Sequence, residues 1–92
     1  MATKNIDFMM DYVKDFLDGK KERLEFDLNF NDELMNRWNK MKREDSEYAD
    51  VFNEWISENG LDLGSGLSNS EYKKLIRRQY KEVKSIADSG FF

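Results

Sequence analysis

The sequence predicts a mainly α-helical single domain over residues 1–92: a small three- or four-helix bundle. One extended or β-like segment, about residues 23–30, is expected between the first two helices. Three observations carry this reading. Apolar residues recur at three- and four-residue intervals in four separate stretches. Start and stop signals punctuate those stretches. The chain has no proline, which suits uninterrupted helices.

In the first stretch Ile6, Met9, Met10, Val13, Phe16 and Leu17 share one face. Thr3 or Asn5 can cap its start, and Gly19 follows its end, where a left-handed residue is wanted. The charged turn "DGKKER" leads to "RLEFDLNF", residues 23 to 30, which alternates without a slip. Leu24, Phe26, Leu28 and Phe30 fall on one side of a two-residue period, while Arg23, Glu25, Asp27 and Asn29 fall on the other. Nothing else in the chain alternates in this way, so such a strand lacks a partner. Three readings stay open: an extended strap lying across the helices, a strand paired with a second copy or a partner's sheet edge, and a helix, which Leu and Glu favour. The extended strap is the expected form, because it needs no second strand.

Asn31 suits the N-cap of the next helix, with Phe30 and Met35 placed as a hydrophobic staple. Leu34, Trp38 and Met41 are its apolar positions, and Glu33 can pair with Arg37. The apolar spacing runs on through Tyr48, Phe52 and Trp55 to Ile56, interrupted at Asp45. Asp45 and Ser46 are good N-caps, so a break is expected near residues 43 to 46, with one continuous helix over residues 31–59 as the alternative. The third helix should end at Asn59-Gly60. In "NGLDLGSGLS", Leu61, Leu63 and Leu67 are expected to tuck under the bundle. "SNSE", residues 68 to 71, is a capping box that opens the clearest helix. Tyr72, Leu75, Ile76, Tyr80, Val83, Ile86 and Ala87 form its apolar face, and Gly90 can stop it.

Composition bounds the chemistry. With two Trp, four Tyr and seven Phe, the chain has the means to build a core. It holds no Cys and no His. Disulfides, thiol nucleophiles, Cys/His zinc sites and histidine acid–base catalysis are therefore excluded. No apolar run approaches the ~20 residues of a membrane span. Asp7 and Asp11 interrupt what would otherwise be a signal-peptide core. The cytoplasm is the expected location, and no membrane contact is expected.

Short motifs do not withstand inspection. Tyr80 and Lys84 match a Tyr-x-x-x-Lys pair, but the chain lacks the nucleotide-binding sheet and glycine pattern that such chemistry requires. "GSG" at residues 64 to 66 is not followed by the Lys-Ser/Thr of a phosphate loop. "DLNFND" starts like a calcium loop, yet Asp32 stands where glycine is needed and Trp38 where a bidentate acid is needed. No catalytic, cofactor-binding or metal-binding residues are assigned, and no enzyme is expected.

Charge is what remains. Residues 1–67 carry nine basic and sixteen acidic groups, net −7; residues 68–92 carry six and three, net +3. The overall charge of −4 and pI of about 4.8 disfavour a dedicated nucleic-acid binder. Lys73, Lys74, Arg77, Arg78, Lys81 and Lys84 nevertheless form a basic helical face. Its expected role is to complement the acids of residues 44–62; nucleic-acid binding is the alternative. On the first helix Phe8 and Tyr12 form a second facet beside a stripe of Asp7, Asp11, Asp15 and Asp18. Aromatics rimmed by acid suit a protein partner with a basic surface; the other reading is a helix packed on two sides.

The expected function is that of a small acidic protein-binding module, of an inhibitor, adaptor or immunity type. Phe8, Asp11, Tyr12, Asp15, Phe26, Phe91 and Phe92 are the candidate contact residues. A structural homodimer joined through residues 23–30 is a further alternative.

Overall fold

The computed structural model describes residues 3–90. Among them are four α-helices and no strand: α1 (Lys4–Leu17), α2 (Arg23–Glu44), α3 (Ser46–Phe52) and α4 (Asn69–Asp88). Between α3 and α4 the backbone widens into a π-helical segment, Asn53–Asp62. The helices form a bundle in which α1 packs mainly on α2, and the π segment mainly on α4.

The main correction concerns residues 23–30. They are not extended: they form the first two turns of the 22-residue α2. A lone strand would leave a row of backbone N–H and C=O groups unpaired, whereas a helix satisfies them locally. In the helix the alternating apolar residues separate. Phe26 and Phe30 turn inward with Leu34 and Met41, while Leu24 and Leu28 turn to solvent with Met35. Asn31 is then a mid-helix residue, and Met35 is exposed and staples nothing.

Phe26 lies at the centre of the core. Its ring stacks on Phe16 at 4.4 Å between centroids and on Tyr12 at 5.4 Å, and Phe30 lies 5.7 Å away. Phe30 in turn stacks on Phe52 of α3 at 6.1 Å, and Phe16 meets the edge of Tyr72 of α4 at 5.7 Å. One aromatic chain thus touches every α-helix. Such pairs add about 0.5–1.5 kcal/mol each beyond the area they bury.

The punctuation read from the sequence is borne out at several points. Gly19 has φ +84°, the left-handed region that favours glycine. Its N–H donates to Phe16 O while Lys20 N–H donates to Asp15 O, the two bonds of a Schellman stop. Asp45 breaks the long helical run with an extended backbone (φ −161°, ψ 101°), and its carboxylate accepts from Tyr48 N–H. Ser68 Oγ accepts from Glu71 N–H and donates to Glu71 Oε1. The Glu33–Arg37 pair forms at 3.5 Å.

Two local expectations fail. The third helical run does not end at Asn59-Gly60 but continues as the π segment to Asp62. Leu63 does not tuck under the bundle; it is exposed, while Leu61 and Leu67 pack against the core. The π segment lies against α4 at its glycine end. A Cβ on Gly64 would stand 2.9 Å from both Gly60 O and Tyr72 Cδ1, so no larger residue fits there without displacing backbone.

Candidate functional site

Both ends of α2 are tied down, and this sets which of its faces is presented. At its start Arg23 reaches across to the loop before α4. One guanidinium nitrogen donates to Leu67 O at 2.6 Å and Asn69 Oδ1 at 3.1 Å; the other donates to Gly64 O and Ser65 O at 3.2 Å. The guanidinium lies over the Tyr72 ring, 4.1 Å from its centroid. Nε also faces Asp27 one turn on, at 3.8 Å. The Tyr72 hydroxyl donates to Asp27 Oδ1. Burial, then this bond, push the Tyr72 phenol well above its ordinary value.

At the other end Glu44 caps a different helix. Its Oε1 accepts from the backbone N–H groups of Asn5 and Ile6 at 3.0 Å, and its Oε2 accepts from Asn5 Nδ2 at 2.6 Å. A carboxylate at a helix N-terminus satisfies donors with no intrahelical partner and complements the macrodipole. Burial works to raise the Glu44 carboxyl, but the hydrogen bonds from Asn5 and Ile6 and the nearby Lys4 outweigh it and hold the group below its ordinary value. Thr3, expected as a cap, makes no side-chain cap bond; its hydroxyl donates to Asp7 Oδ1.

With α2 held in this way, Leu24, Leu28 and Met35 stand 73, 72 and 75% exposed. Their spacing of four and seven residues aligns them in one stripe, roughly 135° around the helix from the buried stripe. Exposed Asn31 and Asn39 lie along it, and exposed Glu25 and Asp32 flank it on one side. At its Leu24 end the stripe opens into a cleft of about 750 Å³. Phe16 and Leu24 provide its apolar lining; Lys21, Arg23, Lys73 and Asn69 are among its polar residues, with Glu22 and Asp27.

The first-helix facet is largely used within the fold. Tyr12 is buried, its hydroxyl donates to Phe26 O at 3.1 Å, and burial first, then nearby acids, push its phenol up to about 12. Phe8 is 40% exposed beneath the Arg37 guanidinium, 3.6 Å from its ring centroid. Phe8, Asp11, Tyr12, Asp15 and Lys21 do surround a small hollow of about 180 Å³. Phe26 is fully buried and is a core residue in this fold, not a surface one. Phe91 and Phe92 lie outside the described residues.

The basic face of α4 divides. Arg77 donates to Leu17 O at 3.2 Å, at the end of α1, and Lys73 lies over the Phe16 ring. Lys74, Arg78, Lys81 and Lys84 are exposed. Among the described residues no ion pair within 4.0 Å joins α4 to the acids of residues 44–62. Three of those seven acids are engaged elsewhere: Asp50 pairs with Lys42 at 2.7 Å, Glu44 caps α1 and Asp45 caps α3. The expected internal complement is thus not made at contact distance.

The exposed stripe was hidden in the sequence, because the strand period assigns Leu24 and Leu28 to the same side as Phe26 and Phe30. The usable signal was Leu24, Leu28 and Met35 at helical spacing, a second apolar row beside the core row. No helix among the described residues is long and apolar enough to cross a membrane. No protein-family model, curated protein or solved structure matches the chain.

Proposed function

We propose that this chain is a non-enzymatic protein-binding module whose partner docks on the outward face of α2. The observation that carries the proposal is the row Leu24, Leu28 and Met35, three large apolar side chains held in water on a helix whose rotation is pinned at both ends. Burying such a side chain is worth about 1.5–3 kcal/mol, which the fold leaves unused. An apolar row interrupted by Asn31 and flanked on one side by Glu25 and Asp32 resembles an interface centre with a polar rim. Inhibitor, adaptor and immunity-type roles all require a surface of this kind and no chemistry.

The test pairs oligomeric state with partner capture. Leu28→Asp and Met35→Asp should leave the helical circular dichroism signal intact. They should abolish capture of a discrete protein from an extract of the source cells, and the purified partner should rebind only the wild type. Sedimentation across concentrations identifies a second copy as the partner if the wild type dimerises and Leu28→Asp does not. Capture and mass unchanged by both substitutions would refute the reading.

A second reading is favoured by one observation: the exposed cations Lys74, Arg78, Lys81 and Lys84 have no ion-pair partner within 4.0 Å among the described residues. On this reading α4 tracks a phosphate backbone. Retention on duplex DNA at low salt, lost in moderate salt and in Arg78→Glu/Lys81→Glu, is its expected signature.

A further inference from the structure

The cleft at the Leu24 end of the stripe indicates what the partner carries. It lies between the end of α1, the start of α2 and the start of α4, and Phe16, Leu24, Lys21, Arg23, Asn69 and Lys73 are among its lining. A volume of about 750 Å³ is in the range of ligand-sized clefts. The cleft is a local exception to the electrostatics of the chain. Residues 1–67 carry net −7, yet here three cations meet two acids, and one of those acids is already engaged: Asp27 accepts from Tyr72 and faces Arg23. Arg23 is itself spent on four oxygens. Lys21 and Lys73 are different. Neither has a carboxylate within 4.0 Å among the described residues; their ammonium groups stand over the Tyr12 and Phe16 rings at 4.9 and 5.8 Å. Arg77, one turn beyond Lys73, adds a further positive charge on the same side.

We infer that this cleft receives an acidic peptide segment of the docking partner, one that places an aromatic or aliphatic side chain against exposed Leu24, Phe16 beneath being a core ring only 4% exposed, and its carboxylates at Lys21 and Lys73. The inference rests on the protein-binding reading above and extends it. A docking chain that covers Leu24 on the α2 stripe borders the cleft, because Leu24 belongs to both surfaces. Carboxylates brought to two unpaired ammonium groups gain without breaking an existing pair, whereas a basic segment would meet like charge. Charge complementarity of this type acts on association rate and on choice of partner more than on raw affinity.

Heteronuclear NMR titration of the full chain tests it, with three synthetic probes: an Asp/Glu-rich peptide with a central Phe, the same peptide with Ser in place of Phe, and a Lys-rich peptide with the central Phe. The Phe-bearing acidic peptide should give saturable shifts concentrated on residues 19–24 and 69–73. Binding should weaken about tenfold with the Ser probe and by as much in Lys21→Glu/Lys73→Glu, and the Lys-rich probe should not bind. Lys21→Gln/Lys73→Gln keeps the side-chain stems over the rings and should show the same loss if the charge-reversed pair proves unstable. Shifts that follow Lys74, Arg78, Lys81 and Lys84 and ignore Phe-to-Ser would mark a general polyanion surface and overturn the inference. Absent shifts, or equal binding of the Lys-rich probe, would overturn it too. Partner capture that needs Leu28 and Met35 but is indifferent to both lysine variants leaves the docking reading standing and removes this one; capture indifferent to all of them removes both.

Discussion

The two faces of α2 carry the same kinds of side chain and meet opposite fates. Phe26, Phe30, Leu34 and Met41 are buried, while Leu24, Leu28 and Met35 of the same helix are more than two-thirds exposed. Local propensity cannot tell them apart, since both rows keep helical spacing. The difference lies in what faces each row. The inner row meets the rings of α1 and α3, and the helix is locked in that rotation by Arg23 at one end and Glu44 at the other. The lesson is that an apolar row in a small bundle is core only if other elements arrive to cover it. A row left uncovered at a pinned rotation stays in water, and on the reading proposed above it is where a partner docks.

The sharpest way to break this comparison is to truncate one residue from each row. Phe26→Ala removes the centre of the aromatic chain and should cost about 3–5 kcal/mol. Total stability of such a domain is about 5–15 kcal/mol, so the variant should sit close to unfolding. Leu28→Ala should stay within about 0.5 kcal/mol of wild type. Chemical denaturation followed by tryptophan fluorescence measures both; comparable losses would mean that the two rows do not differ as described.

Next in size is the Arg23 clamp. Arg23→Met keeps the stem but leaves the carbonyls of Gly64, Ser65 and Leu67 without their charged donor, and should cost about 2 kcal/mol. Amide hydrogen exchange should rise first at the start of α4, where the clamp ends.

The Glu44 cap is smaller and depends on pH. Glu44→Ala should cost about 1 kcal/mol near neutrality, as other N-terminal caps do. The folded protein holds this carboxyl below its ordinary value of 4.5. The stability it contributes is therefore present above that value and lost as pH falls through the folded one. Wild type and Glu44→Ala should converge in thermal midpoint on acidification, and a constant gap would contradict the assignment. At the alkaline end the sign reverses. Burial raises Tyr12 and Tyr48 to about 12, so the stability they contribute is present below pH 10 and lost as pH rises towards 12, where tyrosinate absorbance should appear together with unfolding.

What the sequence determined by itself was the local grammar. The stop at Gly19, the break at Asp45, the capping box at Ser68 and the inward face of α4 through Tyr72, Ile76 and Val83 were all legible, because each is decided by residues within about four positions of one another. The state of residues 23–30 was not, since Leu24, Phe26, Leu28 and Phe30 satisfy a strand period and, taken as two rows, a helical one. Nor was Glu44 legible as the cap of α1, 38 residues away from Ile6, or Arg23 as the clamp on Leu67, 44 residues away. Only the tertiary structure decided these, because burial is a relation between elements: a side chain becomes core, cap or exposed surface according to which distant segment is, or is not, packed against it.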